Sequence, residues 1–410
     1  MRKRNYLPLL ILASISLLLD WYVYKGVIIL SQISEYKNIV AWIYWLISIF
    51  VLSGFIFLLS KVIASRKFTA VFNITFNSYL TLFVSKLVFA MVLFAQDIYR
   101  FFAGLVHFFY FNAFITPDRI VWVNYLALFM ALIPFFSFLF GVTLGKYNYK
   151  IRRTILHFKD LPDEFDRFTL VQISDVHSGS FDKPEEVKKG VKLINSLKPD
   201  IFVFTGDLVN NTADEIVPYI QIFNKIKSSQ GNFSILGNHD YGDYIGWKSP
   251  AEKIKNLENL KKYHADLGFR LLLDENVRIK KGDQSITLLG VENWGKGFGE
   301  RGDLKKALNN LTTSDFKILL SHDPSHWDEQ VKNNHSKIHL TLSGHTHGMQ
   351  FGIEIGSFKW SPVKYRYKNW AGLAEENGRF LYVNRGFGFL GFAGRIGIWP
   401  EITHITFRKK

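Results

Sequence analysis

The chain has no cysteine among its 410 residues. That excludes a disulfide framework and any thiolate metal site, so a bound metal must rest on nitrogen and oxygen ligands. It leaves the compartment open. Leu, Ile, Val and Phe dominate the chain up to about residue 145, and the remainder reads like an ordinary soluble α/β protein. The basic run Lys146 to Arg153 marks the change. No small-x-small cleavage site precedes Asp20, and three more apolar runs follow the first, so Met1-Arg-Lys-Arg4 is not expected to open a cleaved leader. The length allows two or three domains. The formal net charge is +15 and aromatic residues make up 16%.

A bilayer span needs about 20 mostly apolar residues. Four stretches qualify, near Tyr6–Tyr24, Ile39–Ser60, Val71–Ala95 and Ile120–Leu144. Arg2, Lys3 and Arg4, then Lys61, Arg66 and Lys67, then Lys146, Lys150, Arg152 and Arg153 all fall on one side of four spans. The opposite loops are mixed, with Lys25, Glu35 and Lys37, then Asp97, Arg100, Asp118 and Arg119. The positive-inside rule therefore puts both ends in the cytoplasm of a multi-pass cell-membrane protein. A span count wrong by one would move the C-terminal part outside. The aromatic stretch Ile98–Ile115 is expected to lie at the interface rather than form a fifth span, since His107 would otherwise sit at mid-membrane. Asp20 and Lys86 are expected to snorkel to the outer interface.

From Phe168 the pattern alternates. Strands are expected at Phe168–Ser174, Ile201–Thr205 and Asn232–Leu236, with helices at Pro184–Leu197 and Asp214–Ile226 between them. Later strands are expected at Ser285–Gly290, Lys317–Leu320, Ile338–Ser343, Arg379–Asn384 and Glu401–Phe407. The β-α-β-α-β order predicts a parallel core sheet. Five short segments follow strands: Asp175-Val-His177, Gly206-Asp207, Gly237-Asn238-His239-Asp240, Ser321-His322 and Gly344-His345-Thr346-His347. Ligands bind outside the carboxyl ends of such strands. Singly, Asp175-x-His177 and Gly206-Asp207 are weak signals, and Gly237-Asn238-His239-Asp240 and Gly344-His345-Thr346-His347 are moderately specific. Together they bring carboxylate, amide and imidazole groups to one point, as a two-metal centre requires.

These segments resemble the D-x-H, GD, GNH[DE], H and GHxH pattern of the calcineurin-like metallophosphoesterases, over about residues 168 to 407. A bacterial membrane-associated subgroup is more similar still. It shares the GHTHG tail and a segment seen here as Arg395-Ile-Gly-Ile-Trp-Pro-Glu401-Ile. Where that subgroup commonly has GHTHGGQ, this chain has Gly348-Met349-Gln350. The resemblance implies a four-layer α/β/β/α sandwich over 151–410, after a helical transmembrane anchor over 1–150. It implies two divalent metal ions (Mn, Fe or Zn). One would take Asp175, His177, Asp207 and His347, the other Asp207, Asn238, His322 and His345, with Asp207 bridging. A hydroxide between the metals would attack phosphorus. His239 would protonate the leaving oxygen, and Asp240 would orient His239.

The implied activity is that of a membrane-anchored phosphodiesterase, with a lipid-linked or sugar-nucleotide phosphodiester among the substrates. Two other classes compete: a tethered nucleotide or nucleic-acid phosphodiesterase, and a non-catalytic membrane scaffold. The complete ligand set argues against the scaffold. The segment Phe358–Trp370 mixes basic and aromatic residues. It is open between surface packing, contact with the bilayer, a lipid headgroup pocket and single-strand binding. No nucleic-acid module is present, so the expected partners are a phosphoester and the lipid bilayer.

Overall fold

Four helices open the chain: α1 (Leu7–Ser31), α2 (Lys37–Ser65), α3 (Ala70–Phe111) and α4 (Val121–Thr143). The computed structural model describes residues 7–31, 36–65 and 69–410. Arg2, Lys3, Arg4, Glu35, Arg66 and Lys67, used above to orient the chain, lie outside the described residues. Each of the four helices is long and apolar enough to cross a membrane. Leu10, Trp21, Trp42, Phe50 and Phe129 are exposed on them. Ser53 donates back to the Ile49 carbonyl (2.7 Å) and Ser137 to Ile133 (2.8 Å), which satisfies both hydroxyls without water.

Two features of this region were not visible in the sequence. Ile98–Phe111 is no separate helix but the continuation of α3, which ends at Asn112 in a left-handed cap. Neither Gly nor Pro stands between Ala95 and Ile98 to break it. At 1.5 Å per residue the helix is about 63 Å long, roughly twice the hydrocarbon thickness. Asp20 and Lys86 do not snorkel either; they pair with each other. Asp20 is 3% exposed. It also accepts from Tyr44 (3.1 Å), while Lys86 donates to Ser48 Oγ (2.8 Å). A second network gathers Tyr22 and Arg100 (2.8 Å each) and Arg119 around Asp97.

The chain divides into two compact units, Met1–Val142 and Thr143–Lys410, so residues 143–150 fold with the second. The basic run there is not a free charged patch. Lys146 pairs with Asp182 (2.6 Å) and Arg152 with Glu354 (2.6 Å). Lys150–Phe158 forms an edge strand parallel to Glu401–Lys409.

The second unit has two six-stranded sheets. The first runs in the order Lys150–Phe158, Glu401–Lys409, Thr169–Ile173, Ile201–Phe204, Asn232–Ser234 and Arg270–Leu271. The other runs Gly372–Glu376, Arg379–Val383, Leu340–Ser343, Lys317–Leu320, Gln284–Gly290 and Glu275–Lys281. Side chains alternate along each strand, as the two-residue repeat requires. Leu170, Ile201 and Val203 meet Leu288, Ile318, Leu320 and Leu342 in one core between the sheets. Val171, Ile173, Phe202 and Phe204 face the opposite way, toward Val187, Val191 and Leu260 of the covering helices. Leu289, Leu319 and Leu381 likewise join Leu304, Trp327 and Val331 on the far side of the second sheet. The result is the four-layer arrangement. Each fully buried Leu, Ile or Phe contributes about 1.5–3 kcal/mol of transfer free energy.

The covering helices start where the chain supplies caps. Pro184 opens Pro184–Ser196 at its first turn. Ser249 Oγ accepts the Glu252 N–H ahead of Pro250–Asp266. The helix expected over Asp214–Ile226 is instead a 3-10 turn, Ala213–Tyr219, followed by one helical turn, Ile220–Phe223. Pro218 removes an N–H from the middle of that segment.

Removing one member of the membrane ion pair should hurt more than removing both charges. In the full chain in detergent, Lys86→Met is expected to lower the melting temperature. Asp20→Asn combined with Lys86→Met should recover more than half of the loss, because no buried charge is then left alone. Equal losses in the single and double variants would disprove this.

Candidate metal centre

All five motif segments lie at the ends of strands, and they converge. Asp175 and His177 follow Thr169–Ile173, Asp207 follows Ile201–Phe204, and Asn238 follows Asn232–Ser234 in the first sheet. His322 follows Lys317–Leu320, and His345 and His347 follow Leu340–Ser343 in the second. Asp175, His177 and His347 place one ligand atom each within 4.8 Å of the others, and so do Asp207, His322 and His345. Asp207 reaches both groups. Its Oδ2 lies 3.5 Å from His177 Nε2 and 3.2 Å from His322 Nε2. Asn238 Oδ1 lies 2.9 Å from His345 Nδ1 and 3.2 Å from His322 Nε2. The seven ligands expected from the motifs are therefore brought together.

The motif glycines allow this approach. A Cβ on Gly237 would stand 2.2 Å from Asp207 Oδ1, and one on Gly344 would stand 2.3 Å from Asp175 Oδ2. Five ligand residues also hold a left-handed backbone: Asp175 (φ 53°), His177 (47°), Asp207 (61°), His345 (70°) and His347 (49°). Such strain in non-glycine residues collects at functional sites.

The donor set fits divalent cations. His177 is fully buried, and neither ring nitrogen has a hydrogen-bond partner; His347 Nε2 stands 3.2 Å from Asp175 Oδ1 without hydrogen-bond geometry. Buried imidazole nitrogens left bare are costly unless something takes them. The tautomers agree. His322 Nδ1 sits 2.8 Å from the Thr205 carbonyl, so it carries the proton and frees Nε2. His345 Nε2 is 3.3 Å from Asp323 Oδ2, which frees Nδ1. Burial holds the His177 pKa well below its usual value and lowers that of His345, so both are neutral, as ligands must be. Burial pushes the Asp207 carboxyl upward, but His322 and His239 outweigh it and keep the group well below the ordinary range. Burial also opposes charge on His322. The Asp207 carboxylate beside it prevails and raises His322 to about 10.

His239 and Asp240 separate. The expected bond between them is absent, because the two side chains leave the turn in different directions. Asp240 is fully buried. It accepts the N–H groups of Asp207 (2.9 Å), Leu208 (2.8 Å), Val209 (3.3 Å) and Gly237 (2.9 Å). It binds the two ligand loops to each other. Burial, reinforced by Asp207, raises its pKa to about 7. His239 instead places Nδ1 2.8 Å from the Asn210 carbonyl, and the residue lines the cavity beside the ligands. Its ring packs on Tyr244 at 4.4 Å, and Tyr244 Oη accepts from Asn238 Nδ2 (2.8 Å).

Three contributors went unassigned from sequence. Asp323 backs His345 and accepts from Tyr367 (3.1 Å); its only signal was adjacency to His322. Tyr244 carried none. Arg395 had been noted only as part of a signature segment. It is fully buried, donates to the carbonyls of Gly386, Gly388 and Ile398, and lies 3.3 Å from His347 Nδ1. Burial lowers its pKa to about 9, against the pull of Asp175 and Glu401. A cavity of about 550 Å³ opens beside His177, Asp207, Asn238, His239, His345 and His347. Pro362, Val363, Tyr365, Arg366 and Tyr367 of the basic-aromatic segment form part of its wall.

Comparison with known proteins agrees with this geometry. Residues 168–349 match the family model described as "Calcineurin-like phosphoesterase". Residues 3–146 match that described as "Probable Calcineurin-like phosphoesterase, transmembrane domain". The chain is 30% identical to the uncharacterized metallophosphoesterase YkuE of Bacillus subtilis, over 60% of this chain and 82% of that one. It is 30% identical to a transmembrane protein with metallophosphoesterase domain from Danio rerio, over 61% of this chain; the match spans 55% of that protein. An uncharacterized metallophosphoesterase of Aquifex aeolicus is 28% identical over 66% of this chain and 98% of its own length.

Asp240→Asn turns an amide NH₂ toward backbone N–H groups that need an acceptor. It is expected to lower thermal stability and weaken Mn²⁺ binding about 10–100-fold, measured by calorimetry on the full chain in detergent. Unchanged binding would show that Asp240 does not hold the loops. Because metal-free His322 carries a proton at neutral pH, Mn²⁺ uptake should expel it. Affinity should then rise with pH, by up to about tenfold per unit; a flat profile between pH 6 and 8 would contradict the assignment.

Proposed function

The chain belongs to the calcineurin-like phosphoesterase family, and on that footing we propose that it is a membrane-anchored, dinuclear metal-dependent phosphodiesterase. The observation that carries the reading is Asp207, whose one carboxylate stands within 3.5 Å of an imidazole from each ligand group. Two divalent cations (Mn, Fe or Zn) held by the seven ligands would polarise the phosphoryl oxygens and lower the pKa of an attacking water. The chain's own residues do the rest. Asp207 joins the two ligand groups, and Asn238 lies against His322 and His345 of the second. His239 keeps its Nδ1 proton on the Asn210 carbonyl and, when protonated, presents the Nε2 proton to the leaving oxygen. Tyr244 packs against it at a tilt and restrains the ring.

The distribution of Lys and Arg around the helices supports a cytoplasmic face of the cell membrane for residues 151–410. Protease added to intact cells should then leave that region uncut, and cleavage there would reverse the orientation.

The chemistry is tested with two diesters in Mn²⁺. One releases an aryl oxide that departs unaided, the other an alkoxide that needs a proton. Asp207→Asn should abolish turnover of both. His239→Ala should spare the aryl ester and slow the alkyl ester about 100-fold or more. Equal slowing of both would remove the acid role from His239. Activity retained in Asp207→Asn would overturn the two-metal reading.

A further inference from the structure

The cavity beside the metal ligands is larger and less polar than phosphate alone requires. At about 550 Å³ it falls within the range of pockets that bury a whole small-molecule substituent. Beyond the ligand side, its wall is Phe298, Met349, Pro362, Val363, Tyr365, Tyr367 and Leu390. Among the described residues lining it, Arg366 is the one Lys or Arg. Its guanidinium lies 4.4 Å over the Phe298 ring, which fixes it at the cavity wall. A groove for a nucleic-acid backbone would need a row of cations rather than one.

Met349 adds an independent observation. It sits two residues after the ligand His347 with φ 48°, a conformation that favours glycine. Its side chain is 56% exposed, so its own burial does not compensate the strain. An apolar side chain held at a strained position on the lip of an active-site cavity gains from contact with a ligand. Val363 is by contrast buried, and the 3-10 turn Pro362–Tyr365 that carries it is capped by Ser361 Oγ on the Val363 N–H. Ser361 in turn donates to the Gly348 carbonyl (2.7 Å), so this wall is fastened to the loop that bears Met349.

We infer that this cavity takes a phosphodiester whose non-reacting substituent is an extended alkyl or acyl chain, lying against Met349, Phe298, Val363 and Leu390, while Arg366 holds an anionic oxygen. The inference rests on the proposed phosphodiesterase chemistry for its reacting end. Its apolar half rests on the cavity alone.

The test uses the full chain in detergent with Mn²⁺ and a series of aryl alkyl phosphodiesters: methyl, butyl and hexyl, short enough to stay monomeric in solution. A nucleoside aryl phosphodiester forms a separate arm. For the unsubstituted chain kcat/KM should rise on the order of tenfold or more from methyl to hexyl, as burial of several methylenes predicts. Met349→Gly, which also relieves the backbone strain and so favours folding, should cut the hexyl-to-methyl ratio at least about threefold. Arg366→Ala should raise KM across the series. In parallel, calorimetry with hexylphosphonate and methylphosphonate reads the pocket without turnover, and hexylphosphonate should bind more tightly. Turnover with no dependence on chain length, or a preference for the nucleoside ester over the hexyl ester, overturns the inference and leaves the phosphodiesterase standing. No turnover with any ester sinks the hydrolase reading instead. The phosphonate comparison then decides the cavity: tighter hexylphosphonate binding supports it and equal binding rejects it.

Discussion

The site depends on one backbone constraint. Five ligand residues must turn left-handed at the ends of their strands so that carboxylates and imidazoles from two different sheets meet. Each such residue costs about 1–3 kcal/mol, and the surroundings have to hold it. Much of that work falls to buried hydrogen bonds between loops. Asp175 N–H bonds the Gly206 carbonyl (2.9 Å), His177 N–H bonds Asp207 (3.1 Å), and Gly344 N–H bonds His322 (2.8 Å). Asp240 adds four acceptor contacts from the GD and GNH segments. The ligand loops are thus one bonded assembly, and the helix and sheet cores on either side supply the free energy that keeps it assembled.

The electrostatics follow from the same closure. Packing Asp175, Asp207 and Asp240 into a dry region with four imidazoles creates a charge problem that no single protonation state solves. Asp207 stays ionised by drawing on His322, while Asp240 is pushed to about 7 by burial and by Asp207. Neutral His177 makes no hydrogen bond through either nitrogen, although its Nε2 lies 3.5 Å from Asp207 Oδ2. Divalent cations would satisfy the bare imidazoles and screen Asp207 from Asp240 at once. The donor set reads as a metal centre because Asp207 is shared between His177 and His322, and His177 makes no hydrogen bond through either nitrogen.

The membrane unit settles its charges differently. Asp20 and Lys86 satisfy each other with help from Tyr44 and Ser48, and Asp97 gathers Tyr22, Arg100 and Arg119. Three of the four helices contribute to the first cluster. In lipid such pairs lose little to competing water, so they fix which helix faces meet where apolar packing discriminates weakly. The same clusters explain why reasoning from single residues failed. A lone acidic residue in a span suggests snorkelling, and the pairing partner, 66 positions away, is invisible until α1 and α3 are side by side.

What was legible in the sequence was chemistry tied to local order. The strands Thr169–Ile173 and Lys317–Leu320 were visible as apolar runs, and each ligand followed one directly, so short-range pattern and function coincided. What escaped depended on long-range contact. Lys150–Phe158 looked like a charged boundary because its sheet partner, Glu401–Lys409, lies at the other end of the chain. Asp240 looked like a partner for its neighbour His239, yet the backbone turn aims it at N–H groups some 30 residues away. Arg395 belonged to a recognisable segment with no evident task until its guanidinium was found bonding three carbonyls beside His347. Met349 is the instructive remainder. As a departure from a glycine it could be noticed in the sequence, but only its left-handed backbone and exposed side chain turn the departure into a statement about what the cavity accepts. Placed two residues after His347 on the cavity wall, that strained and exposed side chain is where the proposed alkyl chain would rest.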